Sequence, residues 1–190
     1  MLYPAIATSV ASLLCKFHRV QVPGMPSQPT LFQTIRKWFA KAMTMEFSGH
    51  QAQQYAQLDL PRRLAEFEDL AALCLRLQPP TVFGHNDLLS GNVLIPREVR
   101  YMGCDHNMYH HKSPQYEATP DPSAPSPVVN FIDFEYSAPT YRGFDVGNHF
   151  NECAGFDCKW EDYPDTAQSQ HFARAYLRAA GDEPVCIFHQ

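Results

Sequence analysis

His85-Asn86-Asp87-Leu88-Leu89-Ser90-Gly91-Asn92 places a histidine, an aspartate and an asparagine in the order H-x-D-x-x-x-x-N. A carboxylate so placed can take the proton of an attacking hydroxyl, provided it lies within hydrogen-bond reach. An amide oxygen a few residues on can share a hard cation with phosphate groups. The spacing is that of the catalytic loop of phosphoryl-transfer enzymes. Taken alone, the same residues also suit a polar turn between strands. A second acid decides between the two readings. Phe131-Ile132-Asp133-Phe134-Glu135 is an apolar run that delivers Asp133 at its C-terminal end, where the second metal ligand of such a loop stands. An acid after a strand is common, but a loop and a strand-end acid in this order are much rarer together.

These residues need elements to hold them. Val82-Phe83, Val93-Leu94-Ile95 and Val128 to Ile132 are short β-branched runs that predict buried strands, with Phe131 and Ile132 in the core. Helices are predicted on either side. Ile6, Val10, Leu13, Leu14 and Phe17 follow helical spacing behind Pro4, as do Phe32, Ile35, Phe39 and Met43 between Leu31 and Thr44. Leu60 to Leu77 is a further helix, opened by Asp59 and Pro61 and ended by Pro79 and Pro80. The chain turns helical again from Phe144. A last helix runs from Pro164 to Ala180, with Phe172, Tyr176 and Ala180 on one face and Gly181 as its cap. Gln21 to Thr30 reads as a loop. Residues 96–127 are too proline-rich for a regular element and read as a flexible insert. The fold class is therefore α+β and mostly helical, one domain over 1–190.

The 190 residues carry 15 Lys+Arg against 20 Asp+Glu, a net charge of −5, which argues against nucleic acid as the main partner. A hydrophobic share of 45% excludes general disorder. Six cysteines at irregular spacings, without a CxxC, suit reduced thiols and a cytoplasmic setting. No stretch reaches the ~20 apolar residues of a spanning helix, and the opening MLYPAIATSVASLLCKFH reads as a core-facing helix rather than a signal peptide. Cys104 to His111 holds possible zinc ligands but has no paired second half, so a solvated loop is the better reading. Cys153 and Cys158 read as apolar fillers.

HNDLLSGNVLI, followed by FIDFEYSAPTYRGFDVGNHFNE, resembles the choline/ethanolamine kinases, which are related to protein kinases and aminoglycoside phosphotransferases. The resemblance runs from Val82 to Gly155 apart from the insert. It is fainter over flanking helices such as LFQTIRKWF and YPDTAQSQHFARAYL. It implies the C-terminal lobe of a kinase-like fold. Asp87 would be the catalytic base, and Asn92 and Asp133 would hold Mg²⁺ against the phosphates of ATP. Glu152 would face the substrate ammonium. His85 and Asp145 would brace the loop, and Glu135 would support the metal site or the amine pocket. His149 and Arg142 are given packing and hydrogen-bonding roles only.

Asn151-Glu152-Cys153-Ala154-Gly155 is closer to the ethanolamine branch, since choline kinases tend to carry tryptophan where Cys153 stands. The implied reaction is phosphorylation of the ethanolamine hydroxyl. Choline, or both amines, is the alternative, and a non-catalytic kinase-like remnant is the other. No GxxxxGK[ST], glycine-rich nucleotide loop or strand lysine is present. The family carries the last two on an N-terminal lobe. The expectation is a C-terminal lobe with the N-terminal lobe absent and little kinase activity on its own.

Overall fold

A computed structural model describes residues 4–26, 28–95 and 127–181. Its centre is a pair of helices from opposite ends of the chain. Helix α1 (Pro4–Phe17) buries Ile6, Ala7, Val10, Ala11, Leu14 and Cys15. They pack against α6 (Thr166–Ala180), which buries Phe172, Ala175 and Tyr176. Both helices follow the predicted spacing, though α6 starts two residues later than Pro164. Asp165 explains the shift, because its side chain accepts from Gln168 N at 2.8 Å while Gln168 Oε1 accepts from Asp165 N at 3.0 Å. This reciprocal cap fixes Asp165 outside the helix. Gly181, at φ 79°, ends it in the left-handed conformation that glycine adopts without strain.

Helices α2 (Leu31–Met43), α3 (Gly49–Gln57) and α4 (Leu60–Leu77) form an outer layer. Neither α2 nor α3 buries a residue, and α4 buries only Ala71. Aromatic contacts hold α2 to α4, with Phe67 5.8 Å from Phe32 and 5.9 Å from Phe39. Arg36 also meets Glu68 through two parallel bonds of 2.7 and 2.6 Å, but a pair this exposed to solvent adds little to stability. Helix α3 was absent from the sequence reading. GHQAQQYAQ has no apolar stripe, and its Tyr55 reaches α2 through a single bond to the Ala42 carbonyl.

Two small antiparallel sheets complete the fold. Strand β1 (Thr81–Gly84) pairs with β4 (Ala138–Tyr141) in the register Thr81↔Tyr141 to Gly84↔Ala138. Strand β2 (Val93–Leu94) pairs with β3 (Asn130–Phe131) through Val93↔Phe131 and Leu94↔Asn130. The run Val82-Phe83 lies within the longer β1, whereas the other two are shortened, and β3 keeps only two residues of Val128 to Ile132. Phe131 is buried as expected. Ile132 is 38% exposed, because the chain leaves the ladder there and turns toward Asp133. Strand β4 was not foreseen, since Pro139 argues against a strand. Helix α5 (Arg142–Asn151) follows β4 directly and starts two residues before Phe144.

The expected insert, 96–127, lies outside the described residues except for Pro127, as does Cys104 to His111. Cys158 is exposed rather than an apolar filler, whereas Cys153 is buried. Among the described residues no helix is long and apolar enough to cross a membrane.

Candidate functional site

The loop from His85 to Asn92 leaves β1, makes a single 3-10 turn over Ser90–Asn92, and enters β2. Leu88 anchors it, with a side chain wholly removed from solvent. Both backbone groups of Leu88 are held by α5. Its N–H donates to Asn148 Oδ1 at 2.9 Å, and its carbonyl accepts from His149 Nδ1 at 2.9 Å. Asp145, three and four residues earlier on the same helix face, takes the next part of the loop. Its Oδ2 accepts from His85 N and its Oδ1 from Asn86 N, each at 2.6 Å.

That carboxylate grips a strained turn. Asn86 has φ 64°, in the left-handed region that asparagine tolerates better than most residues. Its Nδ2 donates to the Tyr136 carbonyl at 2.9 Å, tying the loop to the segment after β3. A non-glycine residue held this way costs on the order of 1–3 kcal/mol and persists only where its surroundings impose it. Asp133 is a second such residue, at φ 63°.

His85 is fully buried among the rings of Phe17, Phe131 and Phe134. Its Nε2–H donates to the Ile132 carbonyl at 3.0 Å. The peptide leading into Asp133 is thus fastened to the first residue of the loop. Asn92 fastens the peptide before it, where the Asn92 carbonyl accepts from Ile132 N at 3.1 Å. The Asn92 side chain turns back into the loop, and Nδ2 donates to the Asp87 carbonyl at 2.8 Å and to Asp87 Oδ2 at 3.2 Å. Asp87, Asn92 and the approach to Asp133 therefore form one hydrogen-bonded neighbourhood. Asp133 and Glu135 are exposed.

Glu152 lies at the C-terminal end of α5 and is half-buried. Burial raises its pKa, and the negative charge of Asp87 raises it further, so the two carboxylates share one electrostatic environment. Four of the residues singled out from sequence (His85, Asp87, Asn92 and Asp145) are joined in one network. Among the described residues, Glu152 joins through charge and Asp133 through the Ile132 peptide, and Glu135 makes no hydrogen bond or ion pair with the network.

His149, given packing and hydrogen-bonding roles from sequence, fills both here. His149 has its pKa lowered by burial, against the opposing pull of Leu88 and Asp145. Its neutral ring can hold the Leu88 carbonyl through Nδ1–H. Asn148 also belongs here and was not singled out from sequence. The available signal was spacing, since Asp145, Asn148 and His149 stand at i, i+3 and i+4 of one helix. His18 and Tyr176 also converge on Asp145. His18 Nε2 lies 3.0 Å from Asp145 Oδ2, and His18 Nδ1 lies 2.7 Å from the Tyr176 hydroxyl.

The donor set suits a magnesium ion carried by phosphates. Among the described residues no three His, Cys, Asp or Glu side chains are grouped as a metal cage. Magnesium bound with a nucleotide needs none, because one or two protein oxygens complete a shell of phosphate oxygens and water. The exposed Asp133 carboxylate and the Asn92 amide oxygen are hard donors of that kind.

The choline/ethanolamine kinase family model matches residues 1–183. A probable ethanolamine kinase of Arabidopsis thaliana is 35% identical over 188 residues, covering 97% of this chain and 42% of the relative. Choline kinase alpha of Mus musculus is 30% identical, with 92% of this chain and 36% of the relative covered. Among solved structures, Plasmodium vivax ethanolamine kinase superposes with a TM-score of 0.68 at 25% identity, over 93% of this chain and 45% of that one. The chain thus spans less than half the length of these relatives. Fold, loop and sequence agree, and the chain belongs to the choline/ethanolamine kinase family.

Proposed function

We propose that this chain carries the catalytic loop for ATP-dependent phosphorylation of the ethanolamine hydroxyl. The observation that supports this most is the bonding of Asn92 to both Asp87 and the Ile132 peptide, which draws a base and two oxygen donors together. In this reading Asp87 accepts the hydroxyl proton as the oxygen attacks the γ-phosphorus, and ADP departs. Asn92 and Asp133 would hold Mg²⁺, which neutralises charge on the phosphates. Glu135, two residues beyond Asp133, would act on the metal side of the site. Thiols at Cys74 and Cys158 suit the cytoplasm.

Glu152 supports a primary ammonium as the group recognised. A half-buried carboxylate beside Asp87 gains most from a partner that brings positive charge and hydrogen-bond donors together. Trimethylammonium brings no donor. A second reading, use of choline as well, is favoured by Phe156, Trp160 and Tyr163, which are exposed in the segment after Glu152. Aromatic faces suit quaternary ammonium.

The test replaces the matching segment of the Arabidopsis relative with these 190 residues and measures kcat/KM for both amines with Mg-ATP. Ethanolamine should be preferred by roughly tenfold or more. Asp87→Ala should abolish turnover, and Glu152→Gln should raise the ethanolamine KM while leaving that for ATP unchanged. Equal or better use of choline would assign the other branch. No turnover with either amine would favour a non-catalytic module. The 190-residue chain alone should show little activity, because it contains no glycine-rich loop to clamp the phosphates.

A further inference from the structure

Asp145 accepts three bonds, from His85 N, Asn86 N and His18 Nε2. A carboxylate can only accept, so His18 presents Nε2–H to it. In the neutral ring, Nδ1 is then an acceptor, and the Tyr176 hydroxyl donates to it at 2.7 Å. Burial pushes the Tyr176 phenol up to about 12, with Cys15 adding to the rise and Arg142 and Arg19 opposing it, so the hydroxyl keeps its proton. Tyr176, His18 and Asp145 are all buried, at 6%, 6% and 0% exposure. They come from three places: the middle of α6, the residue after α1, and the first turn of α5. The bonds from Tyr176 through His18 and those from the two amides that precede Asp87 converge on one carboxylate, Asp145.

We propose that His18 and Tyr176 are positioning residues that hold Asp145, and through it the loop bearing Asp87, in its left-handed geometry. Asp145 alone could rotate about its side-chain bonds and release either amide. The His18 bond removes that freedom, and the Tyr176 bond removes the corresponding freedom of the His18 ring. Neither residue touches the reacting groups. Their role in catalysis rests on the assignment of Asp87 as base, whereas their hold on the loop does not.

The experiment measures backbone amide exchange, residue by residue, on the 190-residue chain and on the variants His18→Leu, His18→Gln and Tyr176→Phe. His18→Leu keeps apolar volume and deletes both bonds. Exchange at His85 and Asn86 should quicken by about tenfold, the scale of one buried hydrogen bond, while amides in the middle of α1 and α6 stay as they were. His18→Gln, which can still donate to Asp145, should recover most of the protection, and Tyr176→Phe should lose a few-fold. Unchanged exchange at those two amides would overturn the proposal, as would equal acceleration throughout the chain. If His18→Leu does not fold, Tyr176→Phe and His18→Gln decide by the same comparison. In the chimaera used for the amine test, His18→Leu should lower kcat with little change in either KM. Absence of turnover before any substitution would count against Asp87 as base and leave the exchange result standing.

Discussion

At the scale of single residues, the site depends on close approach. Gly84 ends β1 where a side chain would sit 2.2 Å from Thr140 Cγ2 and 3.0 Å from Asp145 Oδ2. Thr140 and Asp145 are both fully buried and cannot move aside cheaply. Gly84→Ala should therefore destabilise the fold by about 1–3 kcal/mol, the range for overpacking, and denaturant unfolding of the pair would show it. His149 gives a pH dependence whose sign follows from its burial. The unfolded chain takes up a proton near the ordinary histidine value of 6.5, whereas the buried ring resists it. The unfolded state then binds more protons as the pH drops below that value. The contribution is complete above about 6.5 and is lost as the pH falls beneath it. Unfolding midpoints at pH 7.5 and 5.5 should differ more in the wild type than in His149→Gln. A slope unchanged by the substitution would assign the acid sensitivity to other groups.

At the scale of elements, the cap of α6 can be tested directly. Asp165→Ala removes the acceptor for Gln168 N and should cost about 1 kcal/mol, whereas Asp165→Asn should cost less. Thermal unfolding separates the two. This helix was legible from Phe172, Tyr176 and Gly181, and α1 from its own stripe, because each buries one face against the other. The loop residues His85, Asp87 and Asn92 were legible from type and spacing. Elements without such a pattern were not legible. Helix α3 rests on the surface without an apolar face, and β4 hides behind a proline that pairs with Phe83. His18 was missed for a different reason. It is a lone histidine after a helix, and its partner Tyr176 stands 158 residues away. No local pattern in a sequence encodes a contact of that span.

At the scale of the whole molecule, the elements that carry the chemistry are closed by partners far along the chain. Strand β1 waits for β4, and α1 waits for α6. This order has a consequence during synthesis. Ile6, Val10 and Leu14 leave the ribosome as an apolar stripe whose main cover, the helix of Phe172 and Tyr176, follows far later in the chain. At about 5–20 residues per second that interval is roughly ten to thirty seconds. A nascent chain arrested with residue 160 outside the exit tunnel should bind a hydrophobic dye or be captured by a holding chaperone. One released past residue 181 should bind far less. Helix α1 is made well before α6 can close over it, and for that interval its stripe needs protection from neighbouring chains on the polysome.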